Sequence, residues 1–132
     1  MIKRLMDQTN LPLLEKMVKF TQARSRVLAE NVVNLSTPNY TPKDLDLDKF
    51  QGLLREEVDG RKQGRPVDRS ATDRALEATD ANGNILFHDR NNRSVEQLVT
   101  DQANNALMHN MMIELMRKQF SSIQNALKER VS

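Results

Sequence analysis

The chain has 132 residues, enough for one domain, and 29% of them are charged while only 4% are aromatic, so a compact, aromatic-rich enzyme core is not expected. The formal net charge of +2 is spread evenly: six basic and three acidic groups in residues 1–37, ten and eleven in 38–93, four and four in 94–132. No segment clusters the cations that neutralise phosphates, so no nucleic-acid partner is expected, and the absence of cysteine removes disulfides, thiol catalysis and thiolate metal sites.

The chain opens with MIKRLMDQTN, which has neither the apolar stretch nor the small-residue cleavage site of a secretory signal. No stretch approaches the roughly 18 to 20 apolar residues of a membrane span. Neither a cleaved signal peptide nor direct membrane insertion is therefore expected, and any export needs another route.

Residues 13–37 contain neither glycine nor proline. Within this arm Leu11, Leu14, Val18, Thr21, Ser25, Leu28, Val32 and Leu35 fall at alternating spacings of three and four, the pattern of a coiled-coil seam with two polar positions at its middle. The helix is expected to stop near Leu35 or Ser36, because Pro38 pushes Thr37 out of the helical region and Pro38 and Pro42 lack a donor. Thr37-Pro38-Asn39-Tyr40 reads as a tight turn, with proline fixing the first central φ and Asn39 tolerating positive φ at the second. Asn31 and Asn34 stand where side chains can satisfy loose carbonyls at a helix end.

Beyond the turn, residues 44–58 carry Leu45, Leu47, Phe50, Leu53 and Leu54 and are expected to form a short strand or helix. Residues 59–84 have only Val67 and Leu76 as large aliphatics, too few to offset the entropy of ordering them, and read as a flexible loop. Asp44, Asp46 and Asp48 alternate in the manner of a calcium loop, but the glycine at the sixth position and the glutamate at the twelfth are missing. His88 and His109 lie in different segments without metal-ligand spacing, and no phosphate loop, nucleophile elbow or dinucleotide fingerprint is present. No cofactor, no metal and no catalytic residue is expected.

In the last arm Val99, Ala106, Ile113, Phe120 and Leu127 recur every seven residues, interleaved with Val95, Gln102, His109, Met116 and Ile123, which predicts a second seam. Ser94 and Gln97 are placed for a capping box, and Lys128 and Arg130 suit the negative end of the helix dipole. At 1.5 Å per residue, residues 95–130 would make a rod of roughly 54 Å, too long for a compact globule of this size. The expected fold is all-α: an elongated antiparallel two-helix coiled coil around a long, partly irregular central loop. Its parts are an N-terminal coiled-coil helix over 1–36, a turn, short element and flexible loop over 37–93, and a C-terminal coiled-coil helix over 94–132, the two arms forming one domain. A two-helix hairpin leaves apolar surface in water, including Met108, Met111, Met112 and Leu115, so neighbouring chains are expected to cover it.

The segment VLAENVVNLSTPNYTPKDLDLDKF, residues 27–50, resembles the N-terminal signature of the bacterial flagellar rod, hook and hook-associated proteins, roughly A-x-N-x-A-N-x-x-T-P-G-Y. Ala29, Asn31, Asn34, Thr37, Pro38 and Tyr40 match it. Val33 stands where the family usually has alanine and Asn39 where it has glycine, a change that keeps access to positive φ. The segment DLDLDKF and the last arm look most like the proximal rod branch; residues 51–88 carry no resemblance.

The resemblance implies a non-catalytic structural subunit of the basal-body rod, which spans the periplasm, exported through the flagellar type III apparatus without a cleaved signal. Its partners would be copies of itself and other rod and basal-body proteins. Leu28, Val32, Leu35, Ile113, Met116, Phe120 and Ile123 are the candidate assembly residues, and Thr37 to Tyr40 the turn that sends the chain out of the helical layer. Phe50 and Leu54 resemble the F-x-x-x-hydrophobic pattern by which early flagellar substrates engage the export gate, and equally fit an i, i+4 packing pair. Another axial component, such as a distal rod or hook-associated protein, is the alternative; a cytosolic coiled-coil adaptor would show the same stripes without the turn motif.

Overall fold

In the computed structural model the described residues are 8–66, 73–76, 79–80 and 92–131, with Arg4 and Ser70. They form three α-helices, α1 (Leu11–Val33), α2 (Leu47–Lys62) and α3 (Asn92–Val131), a 3-10 turn at Asp73–Leu76, and two short strands, β1 (Lys43–Asp44) and β2 (Thr79–Asp80). The strands pair antiparallel, Lys43 opposite Asp80 and Asp44 opposite Thr79. The chain is thus mostly helical.

Helix α1 is covered on two sides. One side meets α2, β1 and the 3-10 turn: Phe20, Leu45, Phe50 and Ala75 are buried together, flanked by Met17, Ala23, Val27, Leu47, Leu53, Leu54 and Leu76. Phe20 and Phe50 stack with ring centroids 4.0 Å apart. Of the short strand or helix expected over 44–58 the helix forms, as α2, and it runs on to Lys62, while part of the segment 59–84, expected as a flexible loop, is anchored. Ala75 is buried and Leu76, one of its two large aliphatics, packs against the same cluster. Val67 and His88 lie outside the described residues.

The ends of α2 are built locally. Asp46 caps the start, its carboxylate accepting from Lys49 N at 2.9 Å. Gly64, at φ 75°, closes the end: Gly64 N donates to Arg61 O and Arg65 N to Gly60 O, the paired bonds of a Schellman motif. The alternating aspartates therefore have separate duties, Asp44 in an ion pair, Asp46 as cap and Asp48 in the first helical turn.

The other side of α1 meets α3, in opposite direction: Thr21 bonds to His109 and Asn105, and Ser25 to Gln102. Helix α3 starts at Asn92, two residues before the predicted cap at Ser94, and Gln97 Nε2 donates to Asp101 Oδ1 at 2.9 Å instead of reaching back. The seam of α3 is also rotated from the expected one. Leu98, Asn105 and Met112 are the buried row, while Val99 is 59% and Phe120 and Leu127 each 42% exposed. The apolar arc of α3 is wider than one seam, and α1 offers a polar centre, so the contact settles on the side of α3 that carries matching amides.

Candidate functional site: the turn clasp and the helix faces

Helix α1 ends at Val33, with Asn34 N donating to Glu30 O and the Asn34 side chain donating to the same carbonyl at 2.9 Å. Thr37 Oγ1 donates to Asn34 Oδ1 at 3.2 Å, so Asn34 serves both the helix end and the turn. Tyr40 N donates to Thr37 O at 3.3 Å, and Asn39 has φ 61°. An i to i+3 bond with positive φ at the third residue is what a type II turn requires, and asparagine is the non-glycine residue best suited to it.

Asn31 has a different duty from the one expected of it. It is 3% exposed, and its Nδ2 donates to Lys43 O at 2.6 Å while its Oδ1 accepts from Lys43 N at 2.9 Å and from Tyr40 OH at 3.0 Å. The amide holds both backbone groups of Lys43, as a neighbouring strand would, and draws the tyrosine back onto the helix. About two turns earlier, Arg24 grips Asp44 with Nε on Oδ1 and Nη2 on Oδ2, both at 3.0 Å, and Asp44 Oδ1 also accepts from Leu45 N at 2.7 Å. The bidentate fork fixes direction as well as distance. Together these contacts fold the chain leaving the turn back along α1 and place Leu45 and Phe50 in the core.

Sequence reasoning singled out the turn but not the clasp. Its signal was present: an asparagine on the helix nine residues before a tyrosine, and an arginine on the same side of the helix facing the first aspartate. The Lys16–Glu57 ion pair between α1 and α2, its side chains only 8% and 9% exposed, had no legible signal because its partners are 41 residues apart.

The assembly candidates separate into three groups. Leu28 is buried against its own chain; Leu35, Ile113, Met116 and Ile123 are half-buried; Val32 and Phe120 are exposed. Ala29 is exposed and Val33 is 81% exposed, so neither is part of the core of the described residues. Of the suggested export pair, Phe50 is in the core and Leu54 packs at its edge. His109 Nδ1 lies 2.8 Å from Thr21 Oγ1, and since that hydroxyl donates to Val18 O, the ring proton is called for on Nδ1.

On α3 the row Val95, Val99, Ala106, Phe120, Leu127 and Val131 is exposed on one flank of the α1 contact, with Ile113 half-buried among them, and Leu107, Met111 and Leu115 are exposed on the other flank. Among the described residues no group of three or more His, Cys, Asp or Glu is placed to hold a metal, and no helix is long and apolar enough to cross a membrane.

No protein-family model matches the chain, and no solved structure matches it. The chain is similar to the flagellar basal body rod protein FlgB of Bacillus subtilis (strain 168), 27% identical over 118 residues that cover 86% of this chain and 89% of that protein. The similarity therefore extends through the central segment as well as the two arms that carry the turn motif and the long helix. In sequence, then, the chain is similar over most of its length to a flagellar basal body rod protein of the FlgB kind.

Proposed function

We propose that this chain is a structural subunit of the proximal rod of the flagellar basal body, located in the periplasm-spanning drive shaft and acting mechanically without catalysis. It assembles through its terminal helices, pairing α1 and α3 as an antiparallel coiled coil within the subunit and packing their free faces on copies of itself and on neighbouring rod proteins. The observation that carries this reading is the apolar row on α3 that α1 leaves uncovered. It repeats every seven residues from Val99 to Leu127, the spacing that seats one helix on another. Scattered exposed apolar residues are ordinary, but a row continuous over most of a 40-residue helix needs a cover. The turn and its clasp set the angle at which the middle of each subunit leaves the helical layer, so that neighbours repeat the same contact.

The subunit reaches the rod through the type III export apparatus. The export-gate role of Phe50 and Leu54 belongs to the unfolded chain, because folding buries Phe50. Phe50→Ala with Leu54→Ala then leaves the protein in the cytosolic pool of cells unable to complete the rod. Accumulation in the periplasm at wild-type levels would assign both residues to packing alone.

The decisive experiment is fractionation: an epitope-labelled chain should copurify with intact basal bodies, and Phe120→Asp should abolish that association while the purified variant keeps the helicity of the unaltered chain. Normal rods containing Phe120→Asp subunits would overturn the assignment of this face.

A further inference from the structure

The middle of the α1–α3 contact is polar on both helices. Asn105, 1% exposed, donates from Nδ2 to Thr21 O at 2.8 Å; Gln102 Nε2 donates to Ser25 Oγ at 3.2 Å; and Thr21 Oγ1 meets His109 Nδ1 at 2.8 Å. Two acceptors, Asn105 Oδ1 and Gln102 Oε1, are buried without a hydrogen-bond partner. A layer in this state is a poor source of stability, since aliphatic side chains in its place would leave no amide oxygen unsatisfied.

Its position explains what it does instead. To either side of the layer the contact is aliphatic, with Leu11, Leu14 and Val18 on one end of α1 and Leu28 on the other, and Leu98, Met112 and Met116 on α3. Aliphatic stripes at heptad spacing tolerate a slide of seven residues, about 10 Å along the axis, because each apolar position lands on another. The polar layer does not. A slide one way carries Asn105 to the place of Met112, beside Leu14 and Val18. A slide the other way carries it to the place of Leu98, beside Leu28. In each case the amide loses its carbonyl partner while staying buried.

We propose that the layer of Thr21, Ser25, Gln102, Asn105 and His109 is a register lock, which selects one antiparallel alignment of α1 on α3 at some cost in stability. The lock determines the height at which α3 displays its uncovered apolar row, so every copy of the chain presents the same face. The inference rests on the helix contact itself and stands apart from the rod assignment.

The chain has no cysteine, so an introduced pair reports alone. Leu14 and Met116 lie one heptad from the Thr21–His109 contact in opposite directions and face each other in this register. Leu14 and Ile123 face each other only after a slide, being otherwise beyond disulfide reach. With the layer intact, Leu14→Cys with Met116→Cys should form the intramolecular disulfide at least about tenfold more than Leu14→Cys with Ile123→Cys. Adding Thr21→Val and Asn105→Leu should bring the two yields within about threefold, with helicity by circular dichroism kept or raised. Ser25→Ala with Gln102→Leu is the second background and should shift the ratio in the same direction. An unchanged preference for the Met116 pair in both backgrounds would overturn the lock. So would loss of helicity in both, which would make the layer a stability element.

Discussion

Asn31 concentrates three hydrogen bonds on one buried amide, and two of them satisfy the backbone of a residue twelve positions away. Asn31→Ala removes the partner of Lys43 N, of Lys43 O and of Tyr40 OH together, and the expected loss is about 2 to 3 kcal/mol in a urea melt. Asn31→Asp keeps the acceptor but sets a carboxylate against Lys43 O, so it should be at least as damaging. At Asn39 the backbone decides: with φ at 61°, Asn39→Gly should leave stability unchanged or slightly raised, while Asn39→Val should cost about 1 to 2 kcal/mol, both read from thermal or urea midpoints. Equal midpoints for the two variants would mean that the turn makes no demand on φ.

Between elements, the Lys16–Glu57 pair ties α1 to α2 where both charges are largely out of water. Removing Lys16 strands the Glu57 carboxylate, whose Oε1 already has no hydrogen-bond partner. Lys16→Met alone should therefore destabilise by about 3 kcal/mol or more, and adding Glu57→Leu should recover most of the loss, the two-step cycle being measured by denaturant titration. The Phe20–Phe50 stack is a second link between these helices, and Phe50→Ala should cost about 3 to 5 kcal/mol, with α2 losing protection from hydrogen exchange before α3 does. Helix α3 contributes no residue to that core and packs chiefly on α1.

At the scale of the whole molecule, lengths matter most. Thr21 faces His109, so with equal rise in both helices Leu11 stands level with about residue 119, and the last dozen residues of α3 run on for about 18 Å. Apart from the half-buried Ile123 these residues are exposed, and a helix end with so little cover is marginal in water. Circular dichroism of the dilute chain should accordingly show less helix than the full length of α1 and α3 requires, with the deficit recovered on assembly. A dilute monomer that is fully helical and melts in one sharp transition would contradict this. Phe120→Asp and Leu127→Asp, both on the uncovered side, should leave the monomer spectrum unchanged and eliminate the concentration-dependent gain.

Local physics wrote part of this protein directly into its sequence. The stop before Pro38, the positive φ of Asn39, the long uninterrupted last helix and the polar interruption of the first stripe follow from ring geometry, αL tolerance and periodicity, which act over a few residues. The tertiary structure decided what such rules cannot reach. Periodicity shows that α3 has an apolar arc but not which part of the arc is covered. The choice of the Leu98–Asn105–Met112 row over the Val99–Phe120 row depends on Thr21 and Ser25, more than seventy residues earlier in the chain. The same limit hid the anchoring of Ala75 and Leu76, which pack where the Asn31 and Arg24 contacts bring Leu45 to Phe20. Burial is a property of the pair, and a single strip of sequence contains only one member of it.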